Sequence, residues 1–422
     1  MVTSDNIFKR TVSLVESRSP SLKESVSSLL SDSDVVLHDR RTVVSCVLAT
    51  LDMEDTDLSP MIHLVWERLN TGHWAQVWPG WRSLYGLLTL ARVSQVARLA
   101  HKHGHQGDLD LVRDLVKMCD MGLLLGGPDI MGGLLEMIAQ EMTEYIATIC
   151  DNDGCDQDYN VPNKKLKVSR DNYNIDDHAL KLTIPLEDIP VLSNPSIPTF
   201  VTKCKTAGVV TRLTGCMTDW PGLASWSPAR LVRLAGPRTV PVELGTRYTD
   251  HDWTQELMTI QQFVTRFITT DGPSTTVGYL AQHQLLSQVP ALRDDILTPD
   301  FCFTGDSDQE PDINVWIGPG GTISPAHTDK KHNVLCQVVG YKYVAVFYPD
   351  QTDHLYPDPT PMLHNTSQVD LDNVDYDQFP LVKRLRGYQT ILGPGDMLYI
   401  PPLVWHYVRS LEQSFSVSFW WE

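Results

Sequence analysis

Thr322-Ile323-Ser324-Pro325-Ala326-His327-Thr328-Asp329 is the stretch on which the fold of this chain turns. An imidazole and a carboxylate stand two residues apart, and because side chains alternate along a strand, both point to one side of a sheet. A single pair of this kind is weak evidence. Far downstream, Gly393-Pro394-Gly395-Asp396 gives a turn, Met397 to Ile400 a short apolar strand, and Pro401-Pro402 leads into Trp405-His406-Tyr407-Val408. His406 supplies a third donor. Two imidazoles and one carboxylate on one face leave three coordination positions open, which is what an Fe(II) centre needs to chelate a 2-oxo acid and then take O2. His327, Asp329 and His406 are therefore the candidate metal ligands and the catalytic set.

Outward from these motifs, residues 181–422 read as strands and turns, with many Pro and Gly and β-branched runs such as Val344 to Val346. Ser227-Pro228 is a favourable helix start, and a second helix is expected from near Thr259 through Phe263 and Phe267. The final Phe415, Val417 and Phe419 alternate with Ser414, Ser416 and Ser418, the pattern of a strand with one face in the core. Residues 1–155 have helical spacing instead: Leu84, Leu87, Leu88 and Ala91 form one stripe, and Leu134, Leu135, Ile138, Met142 and Tyr145 another, with Asp129 a candidate cap for the latter. Between the two, residues 156–180 are polar, rich in Asp and Asn, and read as a linker. The fold class expected is α+β, an N-terminal all-α domain followed by a β domain. Lys164-Lys165-Leu166-Lys167 in the linker is either a nuclear import signal or a solvated surface run.

The chain of 422 residues carries a net charge of −18, which opposes binding to phosphate backbones and favours basic partners. Direct nucleic-acid binding is not expected. Eight cysteines lie scattered without a CxxC pair, as in a reducing compartment, and no segment approaches the length of apolar sequence that spans a bilayer. Nuclear or cytoplasmic residence is expected, without membrane attachment. His101, His103 and His105 fall at a helix end, where helical spacing scatters them, and are read as polar surface. Trp74, Trp78 and Trp81 are read as packing or a partner surface.

Within Gly340-Tyr341-Lys342-Tyr343-Val344-Ala345-Val346-Phe347, Lys342 shares a strand face with Val344 and Val346. A buried amine there needs an anion to meet it. The alternative is that Lys342 sits at an exposed strand end beside Gly340.

Gly321 to Asp329, Gly340 to Phe347, His364-Asn365-Thr366-Ser367-Gln368-Val369-Asp370 and Gly393 to Trp421 together resemble the JmjC-domain Fe(II)/2-oxoglutarate oxygenases. The resemblance covers residues 181–422 and implies a double-stranded β-helix of the cupin type, a jelly roll with iron at its mouth. It implies Lys342, Tyr279, Asn333 and Ser324 as contacts of 2-oxoglutarate; the alternative for Ser324, one residue before Pro325, is that it stabilises the turn that presents His327. Glu243 and Trp316 are implied at the prime substrate, a carboxylate and an indole face suited to a guanidinium, against the plainer readings of surface charge and core. The expected activity is hydroxylation of arginine side chains in a basic protein or peptide. Lysine demethylation by the same oxidative chemistry is the alternative, and a non-catalytic cupin-like module is a second. Similar hydroxylases dimerise through helices after the barrel; this sequence stops at Glu422, so a monomer is expected.

Overall fold

All four residues of the stripe Leu84, Leu87, Leu88 and Ala91 are buried on the helix Gly80–Lys102, and all five of the second stripe on the helix Leu134–Asp153. In this computed structural model the described residues are 7–17, 19–29, 42–47, 56–105, 108–128, 130–153, 182–249, 253–269, 277–305 and 309–422. The linker at 156–180, its Lys164–Lys167 cluster and Asp129 lie outside them. Two compact units are present. The first is built on the N-terminal helices and takes in two later segments, Arg233–Thr239 and Ser287–Pro290.

Between the two long helices runs Leu109–Gly126, capped by Asp108, whose carboxylate accepts from Leu111 N at 3.1 Å. Helices Gly80–Lys102 and Leu109–Gly126 approach closely where Gly86 meets Gly126: a Cβ on Gly126 would lie 2.8 Å from Gly86 Cα, so any larger residue would push the helices apart. Trp78 and Trp81 are buried and meet edge to face at 5.2 Å, which makes them packing residues. Asp120 on the middle helix is fully buried and accepts from Arg238 Nε at 2.9 Å and Nη2 at 2.8 Å, from Thr239 N at 2.6 Å and from Gln288 Nε2 at 2.7 Å. Those donors come from the two later segments, which explains why they belong to this unit. His101, His103 and His105 are exposed at the end of their helix. Among the described residues, no helix is long and apolar enough to cross a membrane.

The second unit is a β structure. Its strands, in chain order, are β1 Glu187–Asp188, β2 Val191–Ser193, β3 Thr211–Thr214, β4 Thr239–Leu244, β5 Thr254–Thr259, β6 Gly278–His283, β7 Asp312–Gly318, β8 Ile323–His327, β9 His332–Val339, β10 Lys342–Phe347, β11 Tyr388–Leu392, β12 Met397–Ile400, β13 Trp405–Ser410 and β14 Ser414–Trp421. They form a nine-stranded sheet in the order β2-β3-β12-β9-β14-β7-β6-β4-β5 and a five-stranded sheet in the order β1-β11-β10-β13-β8. From β7 onward the chain passes back and forth between the sheets, placing β12-β9-β14-β7 in one and β11-β10-β13-β8 in the other. That is a double-stranded β-helix, the jelly roll expected from the sequence.

Both faces of β10 are buried. Val344 and Val346 face one apolar cluster with Leu335, Leu398 and Ile400, while Tyr343, Ala345 and Phe347 face another built with Leu355, Val369 and Leu385 from the long segment before β11. Gly340, at the turn into β10, has φ +73° and a Cβ there would meet Gln413 O, so the turn requires glycine. Along β14 the serines are as buried as the phenylalanines. Ser414 and Ser416 bond to the buried amide of Gln337, and Ser418 to the Trp316 indole, so this strand has a polar interior face as well as an apolar one.

Candidate active site

The end of β8 and the start of β13 meet directly: His327 and His406 are Cα partners in the antiparallel pairing of these strands. Their rings lie 4.2 Å apart between centroids. Two residues past His327, the Asp329 carboxylate reaches His406, with Oδ2 3.6 Å from Nε2. One donor atom from each of the three lies within 4.8 Å of the others, and no other such cluster occurs among the described residues.

Backbone carbonyls set the direction of both rings. His327 Nδ1 is 2.8 Å from Pro325 O and His406 Nδ1 is 3.1 Å from Val404 O. Each pairing assigns the proton to Nδ1 and leaves the Nε2 lone pair for a metal. Burial and the neighbouring His327 push the His406 imidazole well below the usual range, which keeps it neutral and available as a donor. Asp329 is held by its backbone, since Leu403 N donates to Asp329 O at 2.7 Å. Leu403 adopts φ 63°, uncommon for such a side chain, in the turn that follows Pro401-Pro402.

These groups fit a divalent metal by a test internal to the molecule. Asp329 Oδ2 is buried and, among the described residues, accepts no hydrogen bond. A carboxylate oxygen left so, facing two imidazole lone pairs, has a large desolvation cost unless a cation meets it. The donor set of two nitrogens and one oxygen suits iron.

The cavity that opens from the triad is lined by Tyr279, Ser324, Asn333, Lys342 and Trp316, with Leu335, Ile400, Val408, Ser418 and Trp420 completing the wall. Lys342 faces inward and is 1% exposed, so the reading of an exposed strand end is excluded. Its Nζ donates to Tyr279 Oη at 3.1 Å and, among the described residues, meets no carboxylate. Burial lowers its pKa to about 7. Burial also raises the Tyr279 phenol, helped by the charge of Glu243, with Ser324 beside it drawing it the other way. Asn333 is buried and its Oδ1 is without a hydrogen-bond partner among the described residues. Ser324 lies within β8, buried and lining the cavity, not in a turn.

Of the two residues read toward the prime substrate, Trp316 stands in the cavity wall, its Nε1 donating to Ser418 Oγ at 2.9 Å and its ring 6.0 Å from Tyr279 and 6.5 Å from Trp420. Glu243 does not line this cavity. It lies opposite Tyr279 in the β4–β6 pairing, where burial raises its carboxyl. Sequence reading missed Tyr248, whose hydroxyl is 3.1 Å from Thr366 Oγ1 and whose pKa is raised to about 12 by burial and by the charges of Glu243 and Asp329. It also missed Trp420. Alternation from Ser418 along β14 could have marked Trp420 as inward-facing; nothing local marks Tyr248.

A family profile described as "Cupin-like domain" matches residues 210–422. The chain is 39% identical over 367 residues to "Lysine-specific demethylase 8" of Danio rerio, a match covering 86% of each chain. It is 36% identical over 378 residues to "Jumonji C domain-containing protein 5" of Drosophila melanogaster, covering 85% of this chain and 84% of that one. Against "Lysine-specific demethylase JMJ30" of Arabidopsis thaliana it is 36% identical over 374 residues, again 85% of this chain and 84% of the other.

Proposed function

The chain belongs to the cupin-like JmjC oxygenase family, and from that premise we propose that it oxidises a C–H bond on a basic side chain of a protein substrate, using Fe(II), 2-oxoglutarate and O2. One observation carries this: a buried amine, Lys342, with no carboxylate partner among the described residues, shares one cavity with three metal-type donors, one of which has an oxygen that accepts no hydrogen bond among them. The amine asks for an anion and the triad for a cation, and a metal-chelating dicarboxylate answers both.

His327, Asp329 and His406 would hold the iron, which when bound supplies O2 activation coupled to oxidative decarboxylation of 2-oxoglutarate to succinate and CO2. The protein's own part is positional. Lys342 and Tyr279 bind the distal carboxylate, and because Lys342 must be protonated to do so, the anion restores the charge that burial removed. Asn333 and Ser324 offer further polar contacts to the co-substrate. Leu335, Ile400, Val408 and the rings of Trp316 and Trp420 keep water from the reacting centre.

As to which C–H bond reacts, the names of the relatives support Nε-methyl-lysine over the arginine expected from the sequence. Oxidation of an N-methyl carbon gives a carbinolamine that breaks down to formaldehyde and the demethylated amine. A lysine demethylase of chromatin proteins would act in the nucleus. Arginine hydroxylation is the second reading, favoured by Glu243, a partly buried carboxylate whose charge raises the Tyr248 phenol and which would pair with a guanidinium. Peptides bearing either arginine or Nε-methyl-lysine, incubated with the chain, Fe(II), ascorbate and 2-oxoglutarate, separate the two by mass. Loss of a methyl group with release of formaldehyde supports demethylation; stable gain of one oxygen on arginine supports the second reading. Absence of both peptide change and succinate would leave a binding module.

A further inference from the structure

The loop 364–373 contains the stretch His364 to Asp370 that resembles the family, yet it contributes no side chain to the triad or the co-substrate cavity. Its contacts instead reach the end of β8, the segment around Tyr248 and the strand β13. Asn365 Nδ2 donates to Thr328 O at 2.9 Å, and Thr328 N returns a bond to Asn365 O at 2.9 Å. Thr366 bridges to His327 by backbone pairing and meets the Tyr248 hydroxyl with its own.

At the far end of the loop, Asp372 collects three charged or polar donors. Tyr407 Oη donates to Oδ2 at 2.6 Å, Arg409 Nη1 to Oδ1 at 2.6 Å and Arg247 Nη2 to Oδ2 at 3.0 Å. Arg247 pairs with Asp370 as well, at 2.5 Å. The side chains of Arg247, Asp372 and Arg409 are 17–19% exposed, so these contacts are shielded in a way that surface ion pairs are not. Tyr407 follows His406 on β13, and Arg247 lies between Glu243 and Tyr248 in the chain. A single carboxylate therefore ties the strand that delivers His406 to the segment 243–248.

Resting on the second reading above, in which Glu243 pairs with the basic side chain of the substrate, we propose that Asp372 is a positioning residue, fixing the segment 243–248 through Arg247 at a separation from His406 set by Tyr407 and Arg409. It touches neither metal nor substrate. Its effect falls on where the substrate side chain is held, and no side chain of Asp372, Arg247, Tyr407 or Arg409 lines the co-substrate cavity.

The test uses the full chain with Asp372→Asn, Arg247→Gln and the double variant. Amide hydrogen exchange over residues 243–249 is measured by mass spectrometry, and KM is measured separately for 2-oxoglutarate and for whichever peptide of the arginine or Nε-methyl-lysine panel is turned over. Exchange faster by about tenfold in each single variant, with the double variant no faster than Arg247→Gln alone, is the expected coupling if Asp372 reaches the segment through Arg247, which also pairs with Asp370. Peptide KM should rise about tenfold while KM for 2-oxoglutarate stays within about twofold. Unchanged exchange at 243–249 in Asp372→Asn overturns the proposal, whether or not any peptide reacts. Both KM values rising together also overturns it, because that marks general loss of structure. If wild type turns over no peptide, the functional reading fails while the exchange result still decides the role of Asp372.

Discussion

Replacing Lys342 by Met should make the protein more stable and its co-substrate pocket inert. Lys342 is 1% exposed, bonds only the Tyr279 hydroxyl among the described residues, and has its pKa moved from 10.5 to about 7 by burial. A folded-state pKa below the unfolded value means that the unfolded chain binds more protons between these limits, so this group destabilises most at and below about pH 7 and its cost fades as pH rises towards 10.5. The gap corresponds to roughly 5 kcal/mol at low pH and roughly 2 kcal/mol at about pH 9, on an order-of-magnitude conversion. Methionine is of similar length and has no charge to desolvate; after allowing for the lost bond to Tyr279, a gain of about 2–4 kcal/mol near pH 7 is expected. That is a rise in Tm of about 5–10 °C for a unit of this size, narrowing by more than half at about pH 9. Thermal melting at the two pH values, with and without 2-oxoglutarate in the presence of Mn(II), reads both effects. Wild type should gain about 2.7 kcal/mol at a hundredfold excess of ligand over Kd, and Lys342→Met nothing. A variant less stable than wild type near pH 7, or one that keeps the shift with 2-oxoglutarate, refutes the reasoning.

Other outcomes follow from the same structure. Because 2-oxoglutarate must meet a protonated Lys342, its affinity, measured calorimetrically, should fall as pH rises above about 7, by up to about tenfold per pH unit; a flat profile would remove Lys342 from the binding step. His406→Ala should lose bound iron, assayed by metal analysis after gel filtration, by more than the roughly 10–100-fold that removal of a supporting hydrogen bond costs. Glu243→Gln should raise the KM for the peptide substrate by about tenfold and leave that for 2-oxoglutarate unchanged, since the residue stands outside the co-substrate cavity. Asp120→Ala should destabilise the helical unit by about 3–5 kcal/mol in urea titrations, because it leaves Arg238 buried without its carboxylate.

Much of the fold and of the site was legible because it depends on short, local patterns. The His327/Asp329 spacing marks the pair, and the turn before Met397 together with Pro401-Pro402 marks where the third donor enters; the structure brings the three together, although β8 ends at His327 and Asp329 is delivered by the irregular segment after it and not by strand alternation. Helix starts written in local chemistry also appear. Ser227 Oγ accepts from Arg230 N at 3.2 Å at the head of Pro228–Ala235, and Thr259 with Gln262 forms a capping box before a helix that widens to a π-turn over Val264–Ile268. What escaped is what only the tertiary fold determines. Tyr248 reaches Thr366 across 118 residues and Asp372 reaches Arg247 across 125, and no period or cap in the sequence brings them together. The serines of β14 read as one plain face of a strand, yet the fold turns them inward, where Gln337 and Trp316 satisfy their hydroxyls. Arg238 looks like any surface arginine until Asp120 is found beside it, fully buried. The residue acted upon is not written in the triad at all, since the same three donors serve hydroxylation and demethylation alike.

The central claim is that His327, Asp329 and His406 hold one iron ion. Crystals grown anaerobically with Fe(II), measured at wavelengths on either side of the iron absorption edge, test it most directly. A single anomalous peak contacted by both Nε2 atoms and by an Asp329 carboxylate oxygen is the expected result; a peak bound elsewhere, or one from which any of the three side chains points away, would contradict the account.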